Sequence, residues 1–251
     1  MQARILFVDI KPHNMAISQK YGRTYHYPFS PGTTSDDRIQ YDYWDHLRQM
    51  PVLVHTEKLD GENNCLSSLG VFARSHAAPT TSPWTASIRR FWQSIRNDLG
   101  TLEIFLENLY AVHSIEYRNL DHHFYVFAIR EQDQWLSWEE TKYYAAMLDL
   151  PVVPEIKVFT PPADREAFEK EVQAIVSGPG ALCPHDTLNG QPVTMEGIVT
   201  RDAAGYPVNA FSQHVFKYVR KGHVKTDQHW TRHWRRARLN YEGGKYVDDQ
   251  R

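Results

Sequence analysis

Apolar and β-branched residues gather along the chain into short runs bounded by turn-forming residues, the pattern of strands that pack on one or both faces. On this pattern PVLVHTE (51–57), LGVFARS (69–75), TLEIFLENLY (101–110), HFYVFAIRE (123–131), TMEGIVTR (194–201) and HVFKYVR (214–220) are predicted strands. Three other stretches carry helical spacing instead. In the first, Ile88, Phe91, Trp92, Ile95 and Leu99 share one face, and Gly100 follows as a stop. The second opens with Ser137 and Glu140 at capping-box spacing, where each side chain satisfies a backbone donor that the helix leaves orphaned, and has Leu148 near its end. The third starts at Pro161 and Pro162, carries Phe168, Val172, Ile175 and Val176, and has Gly178 beyond it. Together these predict an α+β fold of mostly antiparallel β-sheets with outer helices. No repeat, low-complexity tract or long linker divides the chain, so segments 1–25 and 226–251 are the only candidates for separate appendages.

Composition narrows the function classes. A chain of 251 residues, 41% hydrophobic and 23% charged, is expected to bury one sizeable core. No apolar run approaches the roughly 18 residues of a membrane span. The opening MQARILFVDIKPHN lacks a basic region followed by an apolar stretch, so export is not implied and the expected compartment is cytoplasmic. Cys65 and Cys183 are too few for a disulfide framework or a structural zinc site, and both are expected to be reduced, in or near the core. The histidines are scattered, and adjacent His122 and His123 point in different directions, which argues against a histidine-built metal site. The formal charge of −2 hides an asymmetry: Lys217 to Arg238 holds eight Lys/Arg and one acidic residue, Asp227, leaving a net of −9 elsewhere. That is the balance of a polyanion-facing end on an acidic body.

Candidate chemistry begins at Lys58-Leu59-Asp60-Gly61, directly after the strand PVLVHTE. A strand ending in a glycine-containing turn would set the lysine amine at a sheet edge, open to a nucleotide. By itself K-x-D-G arises by chance in about one chain in twenty of this length. An ordered series of elements follows it, each on a predicted strand: Arg74-Ser75, Glu107 in IFLENLYAVHSIEY, Phe127 in FYVFAI, Glu196-Gly197 at the start of EGIV, and Lys217 at the start of KYVRK. In order and context this series resembles the covalent nucleotidyltransferase superfamily of ATP-dependent ligases and capping enzymes, in its RNA ligase branch. The resemblance runs from about Lys20 to Trp230. It includes KYGRTYHYPFSPG (20–32) upstream, comparable to a segment of bacterial and phage-like RNA ligases, and VRKGHVKTDQHW (219–230) downstream.

The resemblance implies a ligase adenylation domain (ATP-grasp-like) over 1–225, N-terminal segment included, and a short basic helical extension over 226–251. It implies ATP as cofactor, with Mg2+ or Mn2+. On the family pattern Lys58 is the nucleophile that forms lysyl-AMP. A free lysine has a pKa near 10.4, so making it half neutral near pH 7.4 takes about 4 kcal/mol of differential environment, which neighbouring cations or burial would supply. Asp60 would orient the loop and the ribose, and Gly61 would let backbone approach the nucleotide. Arg74 matches an arginine that contacts ribose or a nucleic-acid 5′ phosphate. Glu107 matches the ribose glutamate, and Glu196 the one associated with the divalent metal near the lysine. Phe127 matches the aromatic that stacks on adenine, with Phe124 as a near alternative. Lys217 matches the final lysine, which contacts the α-phosphate. The commoner pattern has a second lysine two residues on; Val219 stands there, leaving Arg220 or Lys221 to substitute.

The function these assignments imply is an RNA ligase joining a 5′-phosphate to a 3′-hydroxyl through lysyl-AMP and RNA-adenylate. The alternatives are a related nucleotidyltransferase (DNA ligase, RNA end-adenylating or capping enzyme) and a non-catalytic nucleic-acid-binding protein of the same fold. A nicked duplex and a broken loop are both open as substrates, as is a partner supplying an accessory domain. In the basic end, Trp230 and Trp234 four apart would share a helix face, with Arg232, Arg235 and Arg236 turned to the phosphate backbone of a nucleic acid.

Overall fold

Each predicted strand forms in the computed structural model, which describes residues 20–222, 230–232 and 234–242. In chain order the strands are β1 (Tyr25–His26), β2 (Leu53–Lys58), β3 (Glu62–Ser67), β4 (Gly70–Ala73), β5 (Leu102–Asn108), β6 (Ile115–Tyr117) and β7 (Phe124–Glu131). They continue as β8 (Gln134–Trp135), β9 (Glu155–Phe159), β10 (Pro184–Asp186), β11 (Gly197–Asp202), β12 (Tyr206–Pro207) and β13 (Val215–Val219). The helices are α1 (Tyr43–Gln49), α2 (Ala86–Ile95), α3 (Trp138–Met147), α4 (Arg165–Val176) and the single turn α5 (Phe211–His214).

Two sheets result. One has the order β1-β13-β11-β2-β9 and the other β12-β8-β7-β5-β3-β4, with β6 and β10 paired as a separate ribbon. All strand pairs are antiparallel except β1 with β13. The alternation of side chains along each strand sorts the core into layers. Leu53, Ile198, Phe216 and Tyr218 leave the first sheet on its outer face, where Tyr43 and Leu47 of α1 and Phe168, Val172 and Val176 of α4 cover them. Leu66, Ile104, Leu106, Phe124, Val126 and Ile129 leave the second sheet outward against Ile88 of α2 and Ala145 of α3. Val54, Val215, Cys65, Phe72, Phe105, Phe127 and Trp135 fill the space between the sheets.

Local chemistry accounts for the helix ends and corrects some of the predicted ones. The capping box forms: the Ser137 hydroxyl accepts from the Glu140 amide at 3.2 Å, and Glu140 accepts from the Ser137 amide at 2.9 Å. Helix α4 starts at Arg165 and not at the prolines, because Asp164 supplies the cap, accepting from the Ala167 amide at 3.1 Å. Helix α2 stops at Ile95, and buried Leu99 reaches the same core from the turn beyond it. Strand β3 escapes hydropathy because four of the six residues of ENNCLS are polar; its buried Asn64 accepts from Asn108 Nδ2 of β5 at 2.9 Å, a polar pair satisfied inside the sheet. Cys65 is buried as expected, whereas Cys183 is exposed, in a turn where it takes φ +53°.

The basic end departs most from expectation. Its described residues form 3₁₀ turns at Trp230–Arg232 and Asn240–Glu242 and a β-bridge between Arg236 and Ala111, with no continuous helix among them. Hydrogen bonds from the Val112 amide to Arg235 O (2.9 Å) and from the Ala237 amide to Tyr110 O (2.8 Å) lay this segment along the chain that follows β5. Backbone pairing thus overrides a helical spacing that rested on two tryptophans. The boundary expected between 225 and 226 lies outside the described residues.

Gly197 marks the tightest approach between strands near the lysine: a Cβ there would fall 2.0 Å from Tyr218 O, while the residue pairs with Lys58 on one side and Val219 on the other. Gly197→Ala is therefore expected to cost about 1–3 kcal/mol as overpacking, read as a lower denaturation midpoint with unchanged m-value; an unchanged midpoint would mean the strands separate freely.

Candidate active site

Between the two sheets opens a cavity of about 560 Å³, within the range of small-molecule sites. The pleat of the first sheet decides which side chains reach it. Thr56 and Lys58 of β2, Val199 and Arg201 of β11 and Lys217 of β13 occupy alternate positions on the inner face and line the cavity. From the second sheet come Glu62 and Asn63 of β3, Glu107 of β5 and Phe127 of β7, with Arg74 just beyond β4. Tyr21, Gly22 and Thr24 border it from the N-terminal segment, and His113 from the loop after β5.

Lys58 ends β2, which lies inside its sheet between β11 and β9, so the amine sits at the end of a central strand and not on an edge strand. Its Nζ donates to both oxygens of Glu196, at 2.8 and 2.9 Å. Glu196 is 4% exposed, so this is a shielded ion pair. Burial by itself would lower the Lys58 pKa, but the carboxylates of Glu196, Glu107 and Asp60 outweigh it and hold the amine above the ordinary lysine value. The expectation that burial or cations depress Lys58 is thus reversed here, because the neighbours are anions.

The same charges act on the carboxylates. Burial pushes Glu107 up to about 8, with Glu196 and Asp60 adding and Lys58 and the Gly61 amide opposing. Burial together with Glu196 raises Asp60 to about 7, against Lys58 and the amides of Ile115 and Ser114. Asp60 is turned to the protein: it accepts from the Ile115 amide at 2.9 Å, and its own amide donates to the Tyr117 hydroxyl at 2.7 Å. It ties the lysine turn to β6. Gly61 has a structural reason beside the proposed backbone approach to a ligand, since a Cβ would meet Asn108 O at 2.7 Å, and its amide donates to Glu107 Oε1 at 3.0 Å.

Lys217 donates to Asp37 Oδ1 at 3.3 Å. Burial and Lys58 lower its pKa, with Asp37 and Glu196 opposing. Phe127 lines the cavity, whereas Phe124 faces outward in the core beneath α2, which separates the two candidates. The Arg74 side chain is exposed at the cavity mouth and makes no ion pair among the described residues.

Other expected residues lie elsewhere. Arg220 donates through Nε to Met195 O at 3.2 Å, and Lys221 is exposed on the turn after β13; neither lines the cavity. Their side chains leave after the strand has ended. Arg232 is exposed on its 3₁₀ turn, Arg235 pairs with buried Glu116 at 2.7 Å, and Arg236 donates to both carboxylate oxygens of Glu242 through Nη1 and Nη2. The cavity cation that sequence reasoning missed is Arg201, 5% exposed, which donates to Thr56 Oγ1 at 3.2 Å and stacks over Trp138. Its signal was present: it stands two residues after Val199 in a predicted strand, hence on the same face.

The profile of the RNA ligase family matches residues 51–219, two thirds of the chain, and spans β2 to β13 with Lys58, Glu107, Glu196 and Lys217 inside it. The chain belongs to the RNA ligase family. Solved structures it resembles include an archaeal ATP-dependent RNA ligase, at TM-score 0.50 and 18% identity over 80% of this chain and 48% of that one. Another is an alanine variant of the Naegleria gruberi RNA ligase with ATP and Mn, at TM-score 0.49 and 19% identity over 82% of this chain and 60% of that one. The chain covers less than two thirds of the length of either. A comparison with curated protein sequences gives no match. The likeness to the archaeal ligase is one of fold: the two-sheet nucleotidyltransferase domain of RNA ligases, here with its cavity between the sheets.

Because their pKa values are raised, Asp60 and Glu107 bind more protons in the folded domain than in the unfolded chain between about pH 4 and 8, so the stability these two groups contribute falls as pH rises through that window. Glu107→Gln keeps an oxygen for the Gly61 amide and removes one buried charge. In the presence of a chelator it is expected to raise the melting temperature at pH 8 relative to the parent, with a smaller difference at pH 5. Equal differences at both pH values would mean that Glu107 ionises as freely in the fold as outside it.

Proposed function

We propose that the protein is an ATP-dependent RNA ligase that attaches AMP to Lys58, passes it to an RNA 5′-phosphate, and joins that end to a 3′-hydroxyl with release of AMP. The observation that carries this reading is the Lys58 amine at the cavity wall, held by both oxygens of a buried glutamate, in a chain of the RNA ligase family. Phe127 and Val199 offer flat apolar walls for a base, and Glu107 an acceptor for ribose hydroxyls. Lys58, Arg201 and Lys217 supply the positive charge that a triphosphate requires. Arg74, exposed at the mouth and without an ion pair among the described residues, suits an incoming 5′-phosphate.

The donor set fits a divalent cation. One lysine faces Glu196, Glu107 and Asp60, and burial, with the Glu196 charge adding to it, raises the pKa values of the last two, so a bound cation would favour their charged forms. Among the described residues no three His, Cys, Asp or Glu side chains converge as a cage. Magnesium and manganese sites for phosphate chemistry commonly use one or two carboxylates, waters and the phosphates themselves, and Glu196 is the residue assigned to hold the ion. When bound, the cation supplies charge that favours the neutral amine and the leaving pyrophosphate. Lys58 must give up its proton, and the surrounding carboxylates must release it from their ion pairs, before it attacks.

The RNA is assigned to the Arg74 mouth and to the basic end, with Arg232, Arg235 and Arg236 as phosphate contacts. Arg235 and Arg236 would exchange Glu116 and Glu242 for phosphate, whereas Arg232 makes no ion pair among the described residues. The enzyme is placed in the cytoplasm as a repair ligase, with nicked duplexes and broken loops as the substrates to compare and an accessory protein as a partner to seek. A protein of the same fold that binds nucleic acid without chemistry would need no shielded lysine at a cavity, which disfavours that reading.

Incubation with labelled ATP and magnesium is expected to leave an acid-stable label on the parent. Lys58→Ala should abolish it, and so should Lys58→Arg, because a guanidinium stays protonated. Glu196→Ala and Lys217→Ala should lower labelling at least about a hundredfold with the fold retained. Sealing is then read on 5′-phosphorylated RNA and DNA; labelling that persists in both Lys58 variants would move the nucleophile elsewhere.

A further inference from the structure

Residues 20–38 lie before the stretch matched by the family profile, yet they reach the far cation of the site. Strand β1 runs parallel to β13 with His26 opposite Lys217, and the Tyr27 amide donates to Lys217 O at 2.9 Å. Farther along, the Ser30 hydroxyl accepts from the Val219 amide at 2.9 Å and the Gly32 amide donates to Val219 O at 2.9 Å. A Cβ on Gly32 would fall 2.5 Å from Arg220 O, so the strap lies close against the strand's end. The chain then turns back at Thr34, whose amide and hydroxyl donate to Asp37 Oδ2 at 3.1 and 3.0 Å. That fixes one carboxylate oxygen and leaves Oδ1 toward Lys217 Nζ, at 3.3 Å, with His26 Nε2 3.2 Å from the same oxygen.

We propose that Asp37 is a positioning residue for Lys217: the strap fixes the Asp37 carboxylate, and the carboxylate holds the Lys217 ammonium at the cavity wall. The inference rests on the ligase reading above for what Lys217 then does, but not for the contact itself. A lysine carries four rotatable bonds on a flexible stem, so its amine has no fixed position of its own. Lys217 is also 19% exposed and lies in the field of Lys58, which repels it. Without a fixed anion on the opposite side, the amine would swing away from Lys58 or toward Glu196, and the charge meant for a phosphate would be misplaced. Asp37 suits the role because its donors come from Thr34 backbone and side chain: burial raises its pKa, but these bonds together with Lys217 hold it well below the usual carboxylate range. His26, pushed down to about 4 by burial and Lys217, stays neutral and does not compete for the carboxylate as a cation.

The test uses the full chain and two readouts. The first is a brief acetic anhydride pulse at pH 8, with modification of each lysine quantified by mass spectrometry. The groups facing Lys217 are Lys58, Glu196, Asp37 and His26. Removing the Asp37 charge leaves burial and Lys58 to deprotonate Lys217, so Asp37→Asn should speed its acetylation at least about threefold, roughly half a pKa unit. Asp37→Glu should stay near the parental rate, and Lys170, on the exposed face of α4, serves as the internal standard. The second is single-turnover formation of lysyl-AMP, where Asp37→Asn should lower the rate constant about tenfold to a hundredfold. Half-saturating ATP should change less than threefold, and Asp37→Glu should recover at least part of the rate. Unchanged Lys217 acetylation overturns the ion pair, and a defect confined to half-saturating ATP overturns the positioning role. A parent that never takes the label while Lys217 acetylation still responds to Asp37 overturns the ligase reading and the catalytic consequence, and leaves the contact established.

Discussion

One lysine set against three carboxylates governs the inner face of this protein. Lys58 can satisfy Glu196 with a short bidentate pair, but Glu107 and Asp60 remain in its field with burial working against their charge. The fold responds by giving each a backbone donor: Gly61 to Glu107, Ile115 to Asp60. Those donors exist only because the turn after Lys58 passes close to the ends of β5 and β6. Charge surplus and turn geometry are thus one arrangement, and a site left in this condition is primed for positive charge brought in by a ligand.

Division of labour between the sheets follows from the strand period. On the first sheet Lys58, Arg201 and Lys217 stand at alternate inward positions of three neighbouring strands, while Ile198, Phe216 and Tyr218 between them hold the sheet to α1 and α4. The second sheet faces them with Glu107 and Phe127. A shift of one residue in the β2–β11 or β11–β13 register would bury these cations under helices, so the hydrophobic outer face enforces the chemistry of the inner one. Asp37 adds a lateral restraint to the outermost of the three cations, from a segment that belongs to neither sheet's interior.

Much of this was legible in the chain. The strands around Lys58, Glu107, Phe127, Glu196 and Lys217 show because each is a long apolar run with a polar residue at a set place, and the capping box at Ser137 shows because its chemistry is local. Strand β3 was hidden by asparagines whose partners sit on another strand, and β9 by its exposure at a sheet edge. Arg201 could be placed on the cavity face only by asking which residues share the parity of Val199. The Asp37 contact spans 180 positions and depends on a turn at Thr34, so no spacing rule reaches it. The basic end was misread because two tryptophans four apart suggest a helix face, whereas Trp230 stands on a 3₁₀ turn and the chain just beyond Trp234 pairs with the segment after β5. The raised pKa of Lys58 was unreadable too, since it depends on three anions brought together from different strands.

The bridge between Ala111 and Arg236 ties the last described segment to the stretch that also carries Ile115 and Tyr117. That stretch in turn grips Asp60, one turn from Lys58. Tail, loop and nucleophile therefore form a single mechanical linkage, a lever whose long arm is the basic end of the chain. A strain applied at that arm, whether by a bound polymer or by a fused domain, would be delivered to the turn that aims the reactive amine.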